Sequence, residues 1–212
     1  MKLIAYDLEG VLVDHRSIWI DISEITGTSE MNMVHRERYV SGEITYKEWS
    51  DIVVGSWNGF DVKKIEDLVA KTPIMKGARE TIETLRRSGF KQGIISNSIS
   101  LLTGSVGELL GIDKEYITAN VLLVKCGELT GTISSYHGWG DKVKTLRRYA
   151  RSLGISMKDT IAVGDDINDI EMIKESGIGI AFNPKSILLE EAADVVIREK
   201  DLRSVLPYID DL

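Results

Sequence analysis

The chain has 212 residues, 43% of them hydrophobic, and a formal net charge of −7. That content supports one large domain, or one domain with an insert, around a real core. The acidic balance excludes a nucleic-acid or anionic-membrane surface, since both need a basic field. A single cysteine, Cys126, excludes a disulfide framework and a cysteine-built zinc site, and reads as an ordinary hairpin residue. No run approaches the ~20 apolar residues of a membrane span. The N-terminus enters a strand without a signal peptide, so the expectation is a soluble, cytoplasmic monomer or homodimer.

Leu3, Ile4, Ala5 and Tyr6 are apolar in succession, which predicts a strand buried on both faces, as in a parallel sheet. Asp7, Glu9 and Gly10 follow it: either ordinary turn acids, or a site at the strand's C-terminal end, where open α/β sheets bind ligands. Residues 14–72 change character. Ser17–Thr26 and Thr45–Val54 have helical spacing, Trp19, Trp49 and Trp57 lie among them, and Gly42, Gly55 and Gly59 mark turns. This segment reads as a small helical insert. The strand–helix rhythm resumes at Pro73, with a helical stripe at Ala78, Ile82 and Leu85 and Gly89 behind it. A strand over Phe90–Ile95 ends at Ser96-Asn97-Ser98, and a helix runs to about Leu110. A hairpin over Ile117–Ser134 turns at Cys126-Gly127-Glu128. A helix from about Asp141 to Leu153, a strand over Thr160–Val163, a helix, a strand at Ile178–Phe182, a helix near Ser186–Ala192 and a strand at Val195–Ile197 complete an α/β sheet.

Three loops follow buried strands and carry polar residues: Asp7/Glu9, Ser96/Asn97 and Asp165/Asn168/Asp169. In a parallel sheet these strand ends share one edge, so the loops can converge. Asp7, Asp165 and Asp169 in one crevice would repel unless a divalent cation joined them, and an all-oxygen set favours Mg²⁺. Lys142 shares its helix face with Val143, Leu146, Tyr149, Ala150 and Leu153, while Lys144, Arg147, Arg148 and Arg151 form a solvated face. A lysine on the core side of a first turn must snorkel to water or find an anionic partner, which the acidic crevice supplies. Carboxylates, a cation, a hydroxyl and a lysine suit phosphoryl transfer. Asp7 would be the nucleophile, forming an aspartyl-phosphate. Glu9 would protonate the leaving oxygen and deprotonate the attacking water. Ser96, Asn97, Lys142 and Asn168 are the candidate phosphate contacts, on a small phosphorylated metabolite.

Asp7-Leu8-Glu9-Gly10-Val11-Leu12, Ser96, Lys142 and Gly164-Asp165-Asp166-Ile167-Asn168-Asp169 resemble, in order, the four motifs of the haloacid dehalogenase superfamily. The run from Asp159 to Ile209 is similar to phosphoserine-phosphatase-like members. The resemblance implies a Rossmann-like core, residues 1–13 and 73–212, with a small helical cap of the C1 type, residues 14–72, inserted after the first strand. It also implies Mg²⁺ held by the Asp7 carboxylate, the Glu9 carbonyl and Asp165 with help from Asp169, and phosphate held by Ser96 and Lys142.

Two departures qualify it. The second acid is usually Asp in the family's phosphatases; Glu9 also occurs in members that act as phosphotransferases. The Glu and Arg with which phosphoserine enzymes hold their substrate fall by register on Arg16 and about Val53. Arg16 instead reads an acidic group on the substrate or lies in solvent. The tryptophans stack on a ligand or pack the insert, and His15, His35 and His137 lack metal-ligand spacing. Two rivals remain, a receiver-like phosphoacceptor module and a scaffold that binds phosphorylated ligands without turnover. The insert and Ser96 at the middle strand's end count against the first. Intact Asp7, Lys142 and Asp165 count against the second.

Overall fold

A computed structural model describes residues 2–209. Its sheet has seven strands in the order β4-β3-β2-β1-β5-β6-β7. They are β1 (Leu3–Tyr6), β2 (Lys91–Ile99), β3 (Ile117–Lys125), β4 (Glu128–Ser135), β5 (Thr160–Gly164), β6 (Ile178–Phe182) and β7 (Val195–Ile197). All neighbours run parallel except β3 and β4. β1 lies between β2 and β5, with Leu3 level with Lys91 and Thr160. All four β1 residues are buried, and they alternate. Ile4 and Tyr6 join the apolar layer beneath α5 (Ala78–Arg87) and α6 (Ser100–Leu110); Leu3 and Ala5 join the layer beneath α7 (Lys142–Ser152) and α8 (Ile170–Glu175). The side-chain period of two thus builds a three-layer α/β/α sandwich on one short strand.

Between β1 and α5 lie four helices: α1 (Ile18–Ile25), α2 (Ser29–Val40), α3 (Tyr46–Gly55) and α4 (Val62–Val69). The chain leaves the sheet through Val13 and returns beside it through Ile74, the two forming an antiparallel bridge. The tryptophans pack the insert: Trp57 is fully buried, and Trp19 lies 5.4 Å from it and 6.0 Å from Trp49, centroid to centroid. Tyr46 continues the cluster to Trp139, on the segment ahead of α7, at 5.6 Å. The insert also bonds to the hairpin, Gly59 N–H donating to the Leu129 carbonyl and Val62 N–H to that of Gly127. That hairpin turns where expected. Cys126 and Gly127 both have positive φ, 53° and 84°, the conformation of a two-residue turn whose twist matches the strands.

One boundary differs from expectation. β2 does not stop at Ile95 but continues to Ile99, with an irregularity: Ile95 pairs Thr118 and Ile99 pairs Asn120. Three residues of β2 therefore face one of β3. This bulge aims Ser96 and Asn97 out of the ladder at the sheet's C-terminal edge.

Candidate active site

Asp7 is the first residue beyond β1, held there by its N–H donating to the Val163 carbonyl at 2.9 Å. Its Oδ1 accepts from Leu8 N–H at 2.7 Å and lies 3.0 Å from Lys142 Nζ. Lys142 Nζ donates to Asp169 Oδ1 at 2.6 Å. Asp169 turns its other oxygen back on its own loop, accepting from the amides of Asp165 and Asp166 at 3.0 and 3.3 Å. Lys142 is 1% exposed, so it finds its partners in the crevice and not in water. Burial alone would lower its pKa; Asp169 and Asp7 more than reverse that and hold the ammonium charged.

Asp7, Asp165 and Asp169 each place a carboxylate oxygen within 4.8 Å of the others, and all three are buried. Burial raises the pKa of Asp165 and of Asp169, and the charge of Asp7 adds to it. Lys185, just beyond β6, sets its Nζ 2.6 Å from Asp165 Oδ2 and forms an ion pair with that buried oxygen. Gly10 adjoins the same oxygen. Its φ is +86°, and a Cβ there would fall 1.8 Å from Asp165 Oδ2, so only glycine lets the first and third loops approach. Three buried carboxylates that repel one another and offer oxygen alone form the donor set a hard divalent cation fits.

Glu9 reaches the insert. Its Oε1 accepts from Ile18 N–H, the first amide of α1, at 2.5 Å, and lies 3.5 Å from His15 Nδ1. His15 Nε2 is 2.6 Å from Asp21 Oδ2, and the two carboxylates raise the imidazole's pKa, Glu9 foremost. Ser96 is 2% exposed; its Oγ accepts from Ser98 N–H, and its own proton has no protein acceptor among the described residues. The Asn97 side chain is bonded to the segment ahead of α7 and to Asn168. Arg16 is exposed, with no ion pair or hydrogen bond among the described residues. Val53 is 1% exposed inside the insert.

Three residues escape a reading by motif: His15, Lys185 and the buried His137, whose Nδ1 meets the Ser96 carbonyl at 3.1 Å. Lys185 alone had a signal. It follows the C-terminal end of β6, the same edge that carries the other loops.

The profile of the haloacid dehalogenase-like hydrolases matches residues 1–177. Phosphoserine phosphatase of Methanocaldococcus jannaschii is 33% identical over 209 residues, covering 98% of this chain and 97% of that one. That of Streptococcus thermophilus is 32% identical, covering 99% and 96%. The chain spans only 58% of the Archaeoglobus fulgidus phosphoserine phosphatase, at 32% identity. A solved phosphoserine phosphatase carrying a phospho-aspartyl intermediate analogue superposes with a TM-score of 0.85, at 32% identity and 98% coverage of both chains. The chain belongs to the haloacid dehalogenase-like hydrolase family. Within it, the chain is a phosphoric monoester hydrolase. Among the described residues, no helix is long and apolar enough to cross a membrane.

Proposed function

We propose that the chain hydrolyses the phosphomonoester of a small metabolite, with Asp7 as nucleophile and Mg²⁺ as cofactor. The observation that carries this is the convergence of Asp7, Asp165 and Asp169 around the buried Lys142 at one sheet edge. Asp7 Oδ1 is occupied by Leu8 N–H and Lys142, which leaves Oδ2 free of hydrogen bonds within the described protein. An Asp7 oxygen bonds to phosphorus as the ester oxygen leaves, and Glu9 gives that oxygen its proton. Glu9 then takes a proton from the water that attacks the aspartyl-phosphate, releasing phosphate and restoring Asp7. Glu9 Oε2, clear of Ile18 and His15, is the oxygen for both transfers. Lys142, the Ser96 hydroxyl and Asn168 hold the phosphoryl oxygens and spread their charge. Mg²⁺, held by the carboxylates of Asp7 and Asp165 and the Glu9 carbonyl with Asp169 behind them, would neutralise the crevice and polarise the phosphoryl group.

We read residues 14–72 as a cap over this edge and residues 1–13 and 73–212 as the core. Arg16, exposed at the cap's start, is available to an acidic group on the substrate. Phosphoserine, the substrate named for the relatives, is the first compound to assay. Val53, buried among apolar side chains, has nothing with which to read its carboxylate. Hydrolysis of an aryl phosphate should require Mg²⁺, stop with EDTA and stop in Asp7→Asn. Turnover surviving Asp7→Asn would sink the nucleophile assignment.

Glu9 supports a second reading, phosphoryl transfer to a small alcohol. Its carboxylate is tethered to the first turn of α1, on the insert's side of the site, where an acceptor hydroxyl held by the cap would replace water. With added alcohols, the transfer-to-hydrolysis ratio should fall in Glu9→Asp; equal ratios in both proteins would refute this reading.

A further inference from the structure

Asn97 has no reserve of hydrogen bonds for a substrate. Its Nδ2 donates to the carbonyls of His137 and Gly138, both at 2.9 Å, and its Oδ1 accepts from Asn168 Nδ2 at 2.9 Å. With two N–H groups and one carbonyl, the amide's principal bonds are all made inside the protein. Its backbone carbonyl is also taken, by Asn120 Nδ2 at 2.8 Å and by Trp19 Nε1 of α1 at 3.2 Å. The residue is 8% exposed, on the bulge that breaks the β2 ladder.

What these bonds join matters. His137 and Gly138 begin the segment that delivers Lys142: Gly138 N–H donates to Asp141 Oδ2 at 2.9 Å, and Lys142 is the next residue. Asn168 precedes Asp169, to which Lys142 bonds at 2.6 Å. We propose that Asn97 is a positioning residue that fixes Lys142 and Asp169 relative to each other, by tying the segment before the lysine to the loop bearing the aspartate. Its kinetic consequence rests on the proposed function; its structural consequence does not. One amide can do this because its donor and acceptor ends point to different loops.

Hydrogen exchange by mass spectrometry on the metal-free protein, without substrate, separates the two arms. Asn97→Ala should speed exchange in 137–142 and in 167–169 together. Asn97→Asp keeps the acceptor and loses both donations, so 137–142 should loosen alone. Asn168→Ala should loosen 167–169 alone, and these two single-arm variants carry the test if Asn97→Ala does not fold. With an aryl phosphate, Asn97→Ala should lower kcat by roughly 10²-fold with little change in KM, the mark of misplaced groups and not of a lost ground-state contact. Exchange unchanged in either segment of Asn97→Ala, or a loss carried by KM, would overturn the proposal. A wild-type protein without phosphatase activity would overturn the proposed function and leave the exchange result standing.

Discussion

At the residue scale, Lys142 decides the character of the site. It is a fully buried ammonium between two buried carboxylates, each within 3.0 Å. Replacing it with an apolar side chain of similar length strands Asp7 and Asp169 against each other. Lys142→Met should therefore cost stability, about 3–5 kcal/mol for a broken buried pair, measured by urea unfolding in metal-free buffer. It should also lower aryl phosphate hydrolysis roughly 10²–10³-fold, the usual loss for a donor aimed at developing charge. Unchanged stability would mean that the carboxylates do not depend on the lysine. The helical stripe predicted where Lys142 faces; it could not name Asp169 over the other acids.

At the scale of elements, the insert is held by apolar packing, and Val53 shows what that implies for specificity. It is buried in α3 with Val54, and with Trp57 just past the helix end, in the cluster that continues into β1. Val53→Arg places an unpaired charge there and should destabilise the protein by on the order of 4 kcal/mol, without adding phosphoserine turnover. A well-folded variant that gains this turnover would show that the position faces the substrate. α3 was legible to within a residue at each end, Thr45–Val54 in the sequence against Tyr46–Gly55 in the structure. Thr45 and Glu48 form a capping box, Glu48 N–H donating to Thr45 Oγ1 at 3.2 Å and Thr45 N–H to Glu48 Oε2 at 2.7 Å. The His15 bridge between Glu9 and Asp21 was not legible, because it depends on how the chain turns between β1 and α1, and no helical or strand period relates those positions.

At the scale of the whole molecule, the C-terminal stretch closes onto the sheet through Asp201. Its carboxylate accepts from Arg203 Nε at 2.9 Å and lies 3.2 Å from Lys76, ahead of α5. The Arg203 bond leads in holding its pKa well below the usual carboxylate range. A group whose folded pKa is depressed leaves the unfolded chain binding more protons, so its contribution is present above about pH 4 and lost as pH falls below it. The melting temperature of Asp201→Asn should thus lie below that of the parent at pH 6, with the gap closing from about pH 4 downward. A gap independent of pH would remove Asp201 from the acid response.

The sequence alone determined the parallel core, the helical insert and the acids at the strand ends. These follow from local periods and from the rule that strand ends of a parallel sheet share an edge. Tertiary structure decided the rest. The bulge at Ser96–Ser98 carried β2 past its expected end and turned Asn97 toward two loops. Packing buried Val53 and set Lys185 against Asp165. Each depends on contacts between residues far apart in the chain, and hydrogen-bond partners chosen in three dimensions leave no periodic trace in one.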